Sequence, residues 1–529
     1  MPSCDLNILD EINVRFDGLD TDTRRLCKQA LEVFNPAARF SKAYKLGQWN
    51  GKVGYFDLGG HTYINVLDRV IPILEKKNYD INIIDSRKNW NFKFDDIDEN
   101  FLADKCWPKG HRFEGQPIIL NEHQVCAVNN MLGNTQCLIE AATSAGKTAI
   151  CAALARKVSQ YGRIIMVVPN VDLITQTYAL FNDVLGIDTG VFHGTKKELH
   201  HHATICTWQS INCLDKRTKQ PKAKKVVTAN LKKSKKPPSA KALAKMELSE
   251  LEVDTFLKDV VAVICDEAHT LSGAVLQYLM SNPFKNVPIR WGMSGTIPKN
   301  KDEFIPLLIS TGHVKYRITA NELQKKEILS NCHIKVLSLK DDTVFQKTDD
   351  DEFGYHTEMQ YLEGHRLRNR YIALLVRAIA STGNTLLLLN RIAMGKEITN
   401  YLTDLDAVFI HGAVDTSVRK DEYDDVNVSE NKVLIATYGV AAVGLDIPRI
   451  KNLILVDAGT SFRRVIQSIG RGLRKSYDKD FVDICDIHST TRHSLKQMKT
   501  RIKFYKEAKY PYEIITIPDW EESVIDLKK

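Results

Sequence analysis

The chain holds two segments, about 320 positions apart, whose residue types suit work on phosphate. In the first, Ala142-Thr-Ser-Ala-Gly-Lys147-Thr148 follows the apolar run 137–141 and reads as the turn from a strand into a helix. Backbone N–H groups of such a turn converge on phosphate oxygens, and the helix dipole adds positive potential. Thr143, Ser144, Ala145 and Gly146 would form the cradle. Lys147 would neutralise the β- and γ-phosphates of ATP, and the Thr148 hydroxyl would ligate Mg2+. The first glycine of the usual G-x-x-x-x-G-K-[ST] pattern is replaced by Ala141. The second segment is Gln467-Ser-Ile-Gly-Arg471-Gly-Leu-Arg474. Two arginines three apart on a helix share a face, so both can address one anion. If that anion is the γ-phosphate at Lys147, two domains close only around a triphosphate. A forked, permanently charged finger of this kind is worth ~10³–10⁵ in rate.

Other residues complete the candidate site. Asp266-Glu267-Ala268-His269 follows the apolar run 260–265, placing carboxylates at a strand's carboxyl end, where parallel sheets bind ligands. Asp266 would hold Mg2+ through water, and Glu267 would orient and deprotonate the attacking water. Gln124, 23 residues before Lys147, has an amide that both donates and accepts, which matches the adenine edge. Ser294-Gly295-Thr296 offers hydroxyls that could relay phosphate state to a bound strand. In 436–446, small residues ending at Gly444 allow close backbone approach, and Asp446 is suited to the ribose.

The elements that must position these residues follow from hydrophobic patterning. From about 110 to 318 apolar strands alternate with helical stretches, at 137–141, 163–168, 203–206, 260–265 and 290–293. A second series follows at 385–389, 407–411, 432–436, 452–456 and 481–485, without a Lys-Thr loop. Both read as parallel sheets wrapped by helices. Residues 1–108 read as a small α/β unit with a strand at 11–16 and a helix at 23–34. There Trp49 and other aromatics interleave with Lys42, Lys45 and Lys52 around an expected Asn50-Gly51 hairpin turn. This is either a half-buried hairpin with solvated lysines or a nucleic-acid-facing surface.

Bulk composition sets further bounds. With 43% apolar residues the chain supports ordinary packed cores, and 529 residues are too many for one. The longest apolar runs are strand-sized, too short to span a bilayer, and the first residues lack a signal pattern, so no membrane association is expected. Eleven cysteines include no C-x-x-C pair. Cys137, Cys265 and Cys485 sit in apolar strands, which suggests reduced, buried thiols and a cytoplasmic setting. Residues 216–245 carry twelve Lys or Arg and no acid; subtracting them from the net +8 leaves −4 for the rest. The basic character is local. Asp349–Glu352 reads as a short, solvated acidic loop.

Taken in order, these motifs resemble the superfamily 2 helicases over about 110–490. Gln124 resembles the adenine-reading Q motif, Gly146-Lys147-Thr148 motif I, Val168–Gln176 motif Ia and Thr207-Trp-Gln-Ser210 motif Ib. Asp266–His269 resembles motif II, Ser294–Thr296 motif III, Thr437–Asp446 motif V and Gln467–Arg474 motif VI. Residues 44–57, Thr143–Lys147, Thr207–Gln209 and Tyr438–Val440 are similar to the recombination helicases of T-even-like phages. That resemblance implies two RecA-like parallel-sheet domains in tandem, at 109–318 and 319–529, the latter ending in a helical segment. Residues 1–108 would be a small α/β domain like double-stranded-RNA-binding domains. It implies branch migration, fork regression and R-loop removal during recombination-dependent replication and repair. It also implies strand-backbone contacts, with Pro169, Thr175, Thr207, Asn390, Arg391 and Thr437 the matching positions. Two departures stand out: DEAH where DECH is expected, and the basic insert. The expected partner is branched or single-stranded DNA, or an RNA–DNA hybrid, bound by a monomer alongside recombination or single-strand-binding proteins. An RNA helicase and an ATP-regulated annealing or clamp protein are the alternatives, since these motifs read phosphates and leave the sugar open.

Overall fold

The computed structural model describes residues 2–108, 113–194, 196–199, 201–214, 253–345, 354–441, 447–476 and 478–525. The basic insert 216–245, the acidic run 349–352, Gly444 and Asp446 lie outside the described residues. The chain divides into two compact units: Met1–Ala141 with Gly146–Arg317, and Ala142–Ala145 with Ile318–Lys529.

The first unit is built on an eight-stranded sheet. Its spatial order is Lys196–Lys197, Thr189–His193, Ala203–Thr207, Arg163–Val168, Val260–Cys265, Ile289–Ser294, Gln136–Ala141 and Val314–Ile318. The strands from Thr189–His193 to Gln136–Ala141 pair in parallel. Alternate residues of Arg163–Val168 enter two different cores: Ile164, Met166 and Val168 in one, Ile165 and Val167 in the other. Both faces are therefore covered, which is why these strands read as continuous apolar runs. The Ala-rich helix Lys147–Val158 packs against one face, and the helix Ala274–Ser281 against the other.

A second, four-stranded sheet belongs to the same unit, ordered His61–Tyr63, Asn13–Asp17, Ser3–Ile8 and Asp80–Asp85, with the last pair parallel. Its core of Leu6, Val14, Phe16, Val66 and Leu74 continues into Ile305, Leu308 and Ile309 of the helix Lys301–Thr311. Hydrogen bonds cross the same seam. Glu11 N donates to Lys285 O at 3.0 Å, Gln136 Nε2 to Glu11 O at 2.8 Å, and Asn65 Nδ2 to Gln136 Oε1 at 2.8 Å. Beyond the small sheet, Trp90, Phe92 and Phe94 stack at 5.5 and 5.9 Å, and the chain is clipped by Tyr161, whose hydroxyl donates to Lys93 O at 2.6 Å.

The expected Asn50-Gly51 hairpin is corrected. Glu32–Phe34 pairs antiparallel with Lys52–Gly54, so the connection runs from 35 to 51 and carries the 3₁₀ turn Pro36–Phe40 and the helix Lys42–Lys45. Gly51 (φ +76°) is the last corner of that connection. A Cβ there would lie 2.6 Å from the Phe34 ring and 2.9 Å from Tyr44. The glycine is needed for packing under this ring pair.

The second unit has a seven-stranded sheet, every pair parallel, ordered Ala407–Ile410, Val433–Thr437, Thr385–Leu389, Asn452–Val456, Phe481–Ser489, Asn331–Leu339 and Tyr512–Ile517. The C-terminal segment supplies the helix Arg492–Ala508, as expected, and also the edge strand. Trp520 closes this core, its indole N–H donating to Lys340 O at 2.8 Å. Cys137, Cys265 and Cys485 are buried free thiols, pushed up to about 12, 12 and 11 by desolvation. Among the described residues no helix is long and apolar enough to cross a membrane.

Candidate nucleotide and nucleic-acid site

Within the first unit, the buried strand Gln136–Ala141 delivers the chain into the phosphate loop. Ser144 (φ +70°) and Gly146 (φ +79°) both adopt left-handed backbone, and Gly146 caps the helix that starts at Lys147. A side-chain-bearing residue in that conformation costs about 1 kcal/mol, so Ser144 marks a shape imposed by its surroundings. Gln124 lies against the loop. Its Oε1 accepts from Asn121 N at 2.9 Å in a capping box, and a Cβ at position 146 would be 2.1 Å from its Nε2. Gly146 is thus required twice, for its φ and for the space Gln124 takes.

Asp266 and Glu267 leave the strand Val260–Cys265, with Glu267 in left-handed backbone (φ +47°) and its N–H bonded to Asp266 Oδ1 at 2.8 Å. That twist sends the two carboxylates to different tasks. Glu267 Oε1 lies 3.3 Å from Lys147 Nζ, and its Oε2 lies 3.3 Å from His269 Nδ1. His269 Nδ1 also contacts Ser294 Oγ at 2.9 Å. The Ser294 hydroxyl donates to Thr296 O at 2.7 Å and accepts from Thr296 N at 3.2 Å. The result is one polar chain, Lys147–Glu267–His269–Ser294–Thr296, joining the phosphate loop to the expected motif III.

Burial pushes Asp266 up to about 6. The same burial acts on Glu267, but Lys147 and His269 outweigh it and hold Glu267 below the usual carboxylate range. The donor set fits a divalent cation that takes hard oxygen ligands: Thr148 is exposed on the first helical turn, and the Asp266 carboxylate bears a desolvation penalty that such a cation reverses.

Further expected residues stand at carboxyl ends of the parallel strands. Pro169 and Asn170 follow Arg163–Val168, and Asn170 Oδ1 caps the next helix at Leu173 N (3.1 Å); Thr175 is exposed on that helix. Thr207 is buried, its hydroxyl 3.0 Å from Ser210 Oγ.

In the second unit, Asn390 and Arg391 follow Thr385–Leu389, and Thr437 ends Val433–Thr437. Asn390 Nδ2 donates to Asp457 O at 2.8 Å, and Arg391 Nε donates to Glu363 at 2.9 Å. The helix Phe462–Gly472 buries Val465 and Ile469 and carries Gln467 and Arg471. Residues Ala142–Ala145 group with this unit: Ser144 Oγ accepts from Arg474 Nε at 2.9 Å and donates to Gly470 O at 3.2 Å.

Sequence reasoning missed His269 and Glu363 as partners. His269 was legible as part of the DEAH run, but its link to Ser294 is tertiary. Glu363 lies 28 residues from Arg391 and carried no signal.

The family model for the type III restriction enzyme res subunit matches residues 117–299, and the helicase conserved C-terminal domain model matches 369–476. The ATP-dependent DNA helicase uvsW of Enterobacteria phage T4 is 23% identical over 489 residues, covering 88% of this chain and 87% of the relative. Among solved structures, the type ISP restriction-modification enzyme LlaBIII bound to DNA aligns over 85% of this chain and 35% of its own, with 14% identity and a TM-score of 0.52. A fragment described as a type I restriction enzyme HsdR subunit from Vibrio vulnificus YJ016 aligns over 92% of this chain and 84% of its own, with 15% identity and a TM-score of 0.52. These likenesses establish the fold: RecA-like domains in tandem.

Proposed function

We propose that this chain, which matches superfamily 2 helicases, is an ATP-driven DNA translocase that remodels branched DNA by branch migration, fork regression and R-loop unwinding. The observation that carries this reading is the polar chain from Lys147 through Glu267 and His269 to Ser294. It gives phosphate chemistry a physical route to the strand end at Ser294 and Thr296, on the same carboxyl edge of the parallel sheet as Pro169 and Thr207. DNA as the substrate is supported by the name of the phage T4 relative, an ATP-dependent DNA helicase matched over most of both chains.

The chemistry assigns a role to each side chain. Lys147 and the N–H groups of Thr143, Ser144, Ala145 and Gly146 bind the phosphates, and Gln124 reads the base. Phosphate oxygens compete with Glu267 for the Lys147 ammonium. As Lys147 turns to them, Glu267 loses the charge that holds it low and becomes a better acceptor for the proton of the attacking water. Thr148 and Asp266 would hold Mg2+, which supplies charge neutralisation at the phosphates when bound. Gln467, Arg471 and Arg474 supply hydrogen bonds and positive charge to the developing transition state, and Gly444 and Asp446 serve the ribose side. Pro169, Thr175, Thr207, Asn390, Arg391 and Thr437 track one strand's backbone, and Trp49 and Lys52 serve the accessory surface. Backbone contacts give salt-sensitive, sequence-tolerant binding, as a translocase requires.

The test is unwinding and branch migration on forked, four-way and R-loop substrates, with ATP hydrolysis measured against forked DNA, single-stranded DNA and RNA and with Lys147→Ala as control. Branched DNA should be the best stimulator. Preference for RNA throughout would replace this reading with an RNA helicase, and hydrolysis indifferent to every nucleic acid would replace it with a clamp.

A further inference from the structure

Segment 36–52 carries four cations, Arg39, Lys42, Lys45 and Lys52, and no acid. Trp49 and Lys52 are engaged locally: the Trp49 indole N–H donates to Lys52 O at 2.9 Å, and Lys52 Nζ lies 3.4 Å from Glu32. Lys52 stays half exposed all the same, and other residues project furthest. Phe40 is 85% exposed and Leu46 69%, the two most exposed large apolar side chains among the described residues of the first unit. Arg39, Lys42 and Lys45 stand exposed in the same short stretch.

The backbone under them is pinned. Asn35 Oδ1 accepts from Ala37 N at 2.9 Å, and Ser41 Oγ accepts from Tyr44 N at 3.1 Å, so capped turns hold Phe40 on both sides. Phe34 and Tyr44 pack edge to face beneath, with the Arg39 guanidinium 5.7 Å from the Phe34 ring centre. A rigid, solvent-facing ring amid the exposed cations Arg39, Lys42 and Lys45 matches a polyanion that also offers π-faces. A single strand shows those faces along its length, and a duplex shows them where stacking ends, at a terminus or a branch.

We infer that Phe40 and Leu46 form the edge on which this chain meets the end of a duplex. Phe40 stacks on the terminal base, and Arg39, Lys42 and Lys45 hold the flanking phosphates. The inference rests on the nucleic-acid reading above and names the part of the substrate this surface takes. Because the small domain shares its core with the helix Lys301–Thr311, the edge is fixed to the fold that carries Lys147 and Glu267.

The experiment uses the full chain and three variants: Phe40→Ala/Leu46→Ala, Phe40→Trp, and Arg39→Ala/Lys42→Ala/Lys45→Ala. Each is assayed for binding to forked and single-stranded DNA across a salt series, with 2-aminopurine at the fork's last base pair. The apolar double variant should lower the fork-to-single-strand affinity ratio about tenfold and remove the stacking quench. Phe40→Trp should keep both. The triple variant should flatten the salt slope by about 2 to 3 charges. An unchanged ratio and quench in the double variant would overturn the inference, as would intact fork binding with lost binding to anionic lipid vesicles. A wild-type chain that binds no nucleic acid would instead overturn the proposed function.

Discussion

At the scale of single residues, Glu267 and Gly146 show how little room this site leaves. Glu267 already spends both oxygens, on Lys147 and on His269, so its role is conditional on Lys147 turning elsewhere. Gly146 sits at φ +79° with the Gln124 amide where a methyl would go. Gly146→Ala is expected to weaken ATP binding at least tenfold while costing only ~1–2 kcal/mol in stability; calorimetric titration beside a melting curve separates the two. Arg471→Ala should leave nucleotide binding within a few-fold and cut turnover by ~10³ or more. Near-normal single-turnover hydrolysis in that variant would remove the arginine from the proposed machinery.

At the scale of elements, the helix Phe462–Gly472 has a built-in cap. Lys479 is almost fully buried and donates to Gly472 O at 2.8 Å and to Ile450 O at 2.9 Å, tying the helix's carboxyl end to the loop before Asn452–Val456. A cation at a helix carboxyl end is favoured by the helix dipole. Burial nevertheless pushes Lys479 down to about 7. A base depressed in the fold binds fewer protons than in the unfolded chain, so stability rises with pH between about 7 and the ordinary lysine value. Urea midpoints at pH 7.5 and 9.5 should show a gain of roughly 2 kcal/mol from this group that Lys479→Met lacks. Equal slopes in the two proteins would count against it.

Much of this scale was legible in the sequence. Each central strand read as apolar was found within a few residues, because burial on both faces leaves a continuous run. One edge strand, Ala407–Ile410, was found too, but the other margin and a distantly paired strand were not. Tyr512–Ile517 lies at the sheet's margin with Ile514 and Ile515 exposed, and Asn331–Leu339 starts with alternating polar residues. Neither position is written locally. The hairpin error has the same origin: Asn50-Gly51 is a strong turn signal, but the partner of Lys52–Gly54 is 20 residues back. The phosphate loop and the Asp266-Glu267 pair could be read as motifs because each is contiguous in the sequence. Tertiary links such as His269 to Ser294 and Glu363 to Arg391 were hidden.

At the scale of the whole first unit, the small N-terminal sheet and a helix of the large-sheet fold share one packed interior, and the two are expected to unfold together. Ile305, Leu308 and Ile309 belong to the core of Leu6, Val14 and Phe16. Ile309→Ala should cost roughly 2–5 kcal/mol. Amide exchange should rise together in Ser3–Ile8 and in Lys301–Thr311. A rise confined to the helix would mean that the two sheets unfold separately.

That common interior also bears on how such a chain can diversify. A module closed by its own core can be traded between proteins as a cassette. This one cannot, because transplanting residues 1–86 alone would strand Ile305, Leu308 and Ile309 in the donor and leave the core around Val66 uncovered in the recipient. A working chimera must carry the Lys301–Thr311 face with it, so the accessory domain and its neighbour are expected to be inherited, and to drift, as a pair.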